Sequence, residues 1–402
     1  MPSLRLAALG GLLFFLVASA APTNASAIPA FARKYRVSCN LCHNPFPALT
    51  EFGAQFAGNG FRMAIDEEPR DTIGTGDDLL TLPASLPLAI RLDAYAQLYA
   101  NGKAATDFQM PWNLKLLSGG TLGKKLSYYI YFLLAERGEV AGVEDAFIYW
   151  NDIGGAPVDL AVGQFQVSDP IFKRELRLEV MDYAIYKVLV GLQPANLTYD
   201  RGFMASADLA GFTITGTLVN GDGIPAINPV FKYDNDAHKN LFGHISRDFG
   251  SHARLGLMGY TGRQNGEAYG FPDQSNDISM WGADGTFGTG VFQLNLQYVA
   301  RTDTEAEFVS GEPTVETKGG FAEVLVRPTG SRWYTYGLYN YIEASAPVLN
   351  VKMFVPVNVA EYESIAIGGG YLVYRNFRLY GEYGYDFNNE LNRLTAGFTT
   401  AF

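Results

Sequence analysis

Val291-Phe292-Gln293-Leu294-Asn295-Leu296-Gln297-Tyr298 is written in alternation. From residue 292 the even positions are apolar and the odd ones polar, so an extended chain turns one face to an apolar medium and the other to water. The same period of two returns in Leu92, Ala94, Ala96 and Leu98 against Arg91, Asp93, Tyr95 and Gln97. It returns again in Phe212, Ile214 and Leu218 against Thr213, Thr215 and Thr217, and in Leu379, Gly381 and Tyr383 against Arg378, Tyr380 and Glu382. Working outward from these segments gives about sixteen strands, beginning near residues 88, 108, 126, 142, 158, 202, 211, 239, 252, 277, 291, 317, 332, 362, 376 and 393.

The connectors alternate too. Residues 151–157, Ala210, 248–251, 288–290, 328–331 and Arg375 read as tight turns, whereas 167–201, 221–238, 262–276, 302–316 and 343–361 read as long loops. Sorting loops by end is what an outer-membrane barrel needs, with short periplasmic turns and long extracellular loops. A soluble sandwich has no such need. In lipid every backbone N–H and C=O must be paired, and only closure leaves no edge. Trp112, Trp150, Trp281 and Trp333 fall near expected strand ends, where an interfacial girdle belongs, and the last strand stops at Phe402 as a barrel-assembly signal would. The loop at 167–201 carries Lys173, Arg174, Glu175, Arg177, Glu179 and Asp182, and alternation leaves open whether it folds inward or covers the mouth.

Composition agrees. Of 402 residues, 30 are Lys or Arg and 41 Asp or Glu, a net charge of -11 that excludes a nucleic-acid binder. A chain 48% hydrophobic and 14% aromatic with 44 glycines suits many short strands and turns. Arg5 precedes an apolar run over 6–17 that ends in small residues, an export signal too short for a membrane anchor. Cleavage after Ala20 or Ala27 fits, and Ala27 is favoured because the polar spacer then leaves with the leader. The expected organisation is a signal peptide over 1–27, a small helical domain over 28–75 plugging the barrel, a linker over 76–87 and a transmembrane barrel over 88–402 in the outer membrane, facing lipid.

The chain has 2 cysteines, and both lie in Cys39-Asn40-Leu41-Cys42-His43. C-x-x-C-H is the attachment motif for one covalent haem c: two thiols meet the two vinyl groups, and the histidine coordinates iron as an axial ligand. A redox-active C-x-x-C wants a βαβ setting and a zinc knuckle a fourth ligand nearby; neither context is visible. Met63, the one methionine between the motif and the barrel, is the candidate sixth ligand, carried back over the ring after two short helices at 29–36 and 47–57. The alternative is that Met63 only packs against the haem edge. Phe31, Tyr35, Phe46, Phe52, Phe56 and Phe61 are expected to bury a porphyrin. His238, His244 and His252 read as lumen or surface residues.

The strings Ile28-Pro29-Ala30-Phe31-Ala32-Arg33, Cys39 to His43, Phe46-Pro47-Ala48-Leu49, Phe52-Gly53 and Gly60-Phe61-Arg62-Met63 resemble the fused monohaem cytochrome–porins of the outer membrane, best known from iron-oxidising bacteria. The resemblance is specific over 28–63 and covers the rest only as architecture. It implies an oxidoreductase: extracellular Fe(II) is oxidised, and haem c passes the electron to a periplasmic carrier such as a soluble cytochrome. Cys39, Cys42 and His43 carry over by direct motif match and Met63 by position. Asp303, Glu305, Glu307, Glu312 and Glu316, with no Lys or Arg in 302–316, offer oxygen ligands where a cation would arrive, or else form a solvated acidic loop. Two other readings stand beside this one. One is a porin whose haem serves as a sensor or a relay for another reductant, with solute transport as its main role. The other is a soluble periplasmic cytochrome with a β-rich domain.

Overall fold

A computed structural model describes residues 30–402 apart from 64–66, 68, 70–71, 78, 85–86, 102, 235 and 352–357, so the leader over 1–27 lies outside the described residues. Sixteen antiparallel strands close into one barrel. The first, Leu88–Asn101, pairs with the last, Leu391–Ala401, in a register that sets Ala396 opposite Ala96. Phe402 exchanges both backbone hydrogen bonds with Ile90, at 2.6 and 2.8 Å. Period two does what it predicts: Asn295 and Gln297 are buried in the lumen while Phe292, Leu296 and Tyr298 stand exposed outside.

Two boundaries differ from the sequence reading. The second strand starts at Lys103, not near 108. The connector expected at 262–276 is mostly ladder, because Ala253–Gly266 and Phe271–Thr289 stay paired until Gly266 meets Phe271. Backbone pairing does not need lipid, and Arg263 clasps Asp277 there with bonds of 2.5 and 2.8 Å. The girdle also needs correction. Trp150, Trp281 and Trp333 face outward, but Trp112 lies mid-strand, tilted against Tyr95 at 5.6 Å and under the Arg137 guanidinium at 5.2 Å.

The loop at 167–198 folds inward. Val167, Met181, Ala184, Tyr186 and Val190 are fully buried and share one apolar cluster with the lumen-facing Phe321, Leu338 and Ile342. Tyr183 stacks on Phe321 at 4.2 Å, its hydroxyl donates to Glu323 at 2.6 Å, and the Tyr186 hydroxyl donates to Gln297 at 2.9 Å. Near the long-loop end, Leu189–Val190 joins Leu349–Asn350 and Asn358–Val359 in a three-stranded sheet, and Leu192 N–H donates to the Ala306 carbonyl of the loop at 304–314.

Three short helices, α1 (Ala30–Tyr35), α2 (Cys39–Cys42) and α3 (Glu51–Gly58), fill the short-turn mouth. Phe31 and Phe61 stack on each other, and Phe61 stacks on the wall residue Tyr129 at 4.4 Å. Tyr149 donates to the Gly58 carbonyl at 2.8 Å, Lys34 to Thr121 at 3.2 Å, and Arg327 to the Asn44 carbonyl. Thr72–Gly74 and Thr81–Pro83 pair as a small hairpin.

Candidate haem-binding site

The two cysteines stand on the single turn of α2, whose amino end is capped by the Ser38 hydroxyl. Both are free thiols, and burial raises both above the ordinary thiol value. The chain leaves the turn at His43, where it becomes extended. His43 Nδ1 lies 2.9 Å from the Pro47 carbonyl oxygen, which can only accept, so Nδ1 carries the hydrogen and the Nε2 lone pair is left for a metal. Burial, helped by the nearby Arg91 charge, lowers the imidazole's proton affinity against the pull of the Pro47 and Ala48 backbone and keeps the ring neutral. A ring fixed through Nδ1 and two reduced thiols one turn away are the donor set a covalent haem requires, so the residues present fit the group.

The second expected helix begins later than 47. Pro45 and Pro47 hold Asn44 and Phe46 out of the helical region, and α3 starts only after Thr50, whose hydroxyl accepts from Gly53 N–H at 3.1 Å. The same hydroxyl donates to the Leu41 carbonyl at 2.6 Å, tying α3 to α2. A Cβ at Gly53 would meet the Cys42 carbonyl oxygen at 2.1 Å. In an exposed helix Gly→Ala stabilises by about 1 kcal/mol. Here Gly53→Ala is expected to destabilise the helical segment by about 1–3 kcal/mol, since the obstructing atom is backbone. Limited proteolysis checks it: the segment should be cut faster in the variant while the barrel stays resistant.

Phe31, Phe56 and Phe61 pack edge-on or stacked among themselves, with Tyr35, and against Tyr129, so they dock the helices to the wall. Phe46 alone among the named aromatics stands beside the imidazole, edge-on at 5.0 Å, and Phe52 is exposed. Met63 follows α3 and is 36% exposed, and its N–H donates to Glu67, which also accepts from Tyr35.

The acidic loop separates. Asp303 is fully buried and held by Arg301 through two bonds of 2.7 Å, so it is a structural ion pair. Glu307 N–H donates to Glu312, whose carboxyl is raised by burial and by the neighbouring Glu307 and Glu305. No group of three or more His, Cys, Asp or Glu among the described residues is arranged to hold a metal ion. His244 pairs with Asp284 at 2.8 Å inside the wall.

Sixteen closed strands, an apolar outer face and short turns at one end define an outer-membrane β-barrel of porin architecture, crossing the membrane many times. No known family profile matches the sequence, and no curated protein matches it. Among solved structures, the fold is similar to a loop-deletion mutant of OmpT, an outer membrane protein of Vibrio cholerae, with a TM-score of 0.54 at 12% identity over 79% of this chain and 99% of that one. An anion-selective porin from Comamonas acidovorans gives 0.54 at 13% identity over 79% and 99%. The outer membrane channel DcaP of Acinetobacter baumannii gives 0.53 at 11% over 79% and 97%. At such identities the likeness is one of fold.

Proposed function

We propose that this chain is an outer-membrane electron-transfer protein: a porin-type barrel whose short-turn mouth carries one covalent haem c on Cys39, Cys42 and His43. The observation that carries the reading is the His43 Nδ1 bond to Pro47, next to two free thiols on one turn. When bound, the group supplies reversible one-electron chemistry at iron. The chain's own residues orient the imidazole, hold the attachment turn against Gly53 and fix the helices in the mouth facing the periplasm, within reach of a soluble carrier. Fe(II) at the cell surface is the donor implied by the amino-terminal resemblance. It gains no support from the acidic loop, which assembles no metal group among the described residues. Mixing the purified protein with Fe(II) tests the donor: reduction visible in the haem absorption is expected, and a rate no faster than background removes Fe(II).

A second reading, a porin with solute transport as its main role, is favoured by the likeness to a porin and a channel. In that reading the inward loop and the helices, packed against the lumen wall, would narrow the path of a solute. Met63 is proposed as the second axial ligand. Met63→Ala should abolish a methionine-to-iron charge-transfer band and lower the reduction potential, and an unchanged spectrum eliminates it.

A further inference from the structure

Arg378 faces the lumen from the strand Phe377–Asp386 and is 2% exposed. One guanidinium nitrogen donates to the Phe46 carbonyl at 2.7 Å and another to Thr399 at 3.1 Å, but Nε has no partner. Among the described residues no carboxylate lies within ion-pair distance of it, whereas Arg91 has Asp93 at 3.1 Å and Arg393 has Glu382 at 3.0 Å. The rings of Tyr334 and Tyr380 lie 5.7 and 5.1 Å from its guanidinium carbon. The Tyr380 hydroxyl is buried without a partner, and the Tyr334 O–H, whose polar neighbour is Arg378 itself, donates to nothing. A buried cation without a counter-charge is costly, and so are orphaned buried donors. An unpaired guanidinium Nε beside two tyrosines whose hydroxyls are buried without partners is chemistry that a carboxylate satisfies.

These three side chains meet the loop that follows His43: Arg378 holds the Phe46 carbonyl, and Tyr334 shares an apolar cluster with Ala48. We propose that Arg378, Tyr334 and Tyr380 form a carboxylate site in the barrel wall that takes a propionate of the haem. This rests on the haem reading above. The site would tie the cofactor's orientation to the barrel itself. A small carboxylate solute has the same chemistry, and the test separates the two sources.

Holoprotein is made in cells supplied with a haem precursor labelled with 13C at the propionate carboxyls, and redox difference infrared spectra are recorded. The labelled carboxylate bands should shift in Arg378→Gln and in Tyr334→Phe/Tyr380→Phe, with the reduction potential falling in Arg378→Gln and held in Arg378→Lys. The tyrosine pair removes only two oxygens and leaves the Phe46 contact intact, so a purely structural role of Arg378 would not move its bands. Haem-bearing variants whose labelled bands match wild type overturn the site while leaving the haem reading intact. Acetate or succinate that protects the haem-free protein in an Arg378-dependent way, with labelled bands unmoved, assigns the site to a solute and also overturns the propionate. A colourless wild-type protein overturns the haem reading and this inference with it.

Discussion

The Cys39→Ala/Cys42→Ala variant is expected to reach the outer membrane as a folded barrel and to carry essentially no haem after denaturing electrophoresis, where wild type is expected to keep a peroxidase stain. The asymmetry follows from where the bonds are. No barrel register involves either cysteine, and the first and last strands close through Ala96–Ala396 and Ile90–Phe402, far along the chain from α2. The helices keep their own ties to the wall through Phe61 on Tyr129, Tyr149 to Gly58 and Arg327 to Asn44. On the proposed reading, only the covalent attachment would be lost. His43→Ala separates the two roles of the motif: its thiols remain, so covalent stain should persist while the axial-ligand spectrum changes. A wild-type protein that shows no stain, with its thiols reacting freely, would end the haem reading.

The sequence is most legible where a residue answers to one medium at a time. Gln293, Asn295 and Gln297 oppose Phe292, Leu294 and Leu296 because lipid and lumen impose opposite demands at every second residue, and the strand count and closure follow from that. Trp112 misleads because a strand twenty-one residues long places it mid-ladder, and alternation does not mark where lipid ends. That Phe31 and Phe61 also dock the helices on Tyr129 could not be read from composition, because it depends on where the wall lies in the fold. The C-x-x-C-H motif is local, so Cys39, Cys42 and His43 could be singled out directly as the candidate site, whereas the Pro47 carbonyl that fixes the imidazole needed the turn geometry. Arg378 could be read as lumen-facing from its opposition to Leu379. That it lacks a carboxylate depends on neighbours supplied by other strands and by the loop at residues 44–48.

Asp182→Ala is expected to release the inward loop and raise the conductance of the barrel. Asp182 is 1% exposed and sits where three cations of the loop converge. Arg174 meets it with bonds of 2.9 and 2.6 Å, Arg177 stands at 3.6 Å and Lys187 at 3.7 Å. Its backbone carbonyl also accepts from the wall residue Asn340 at 3.1 Å, so the carboxylate organises the segment that anchors the loop to the strand Trp333–Ala344. Removing one partner of a buried ion pair costs about 3–5 kcal/mol, because the remaining charges stay desolvated without compensation. The strands do not depend on that carboxylate, so the penalty is relieved most cheaply by moving the loop toward water. Single-channel recording in planar bilayers should show little conductance for wild type and defined steps for Asp182→Ala, while Asp248→Ala, exposed near the end of the strand Asn240–Phe249, stays within about 0.5 kcal/mol of wild type and conducts no more than wild type. Wild-type protein that already conducts as freely as Asp182→Ala would show that the loop does not seal the lumen, and would move the weight of the functional reading from electron transfer to solute transport.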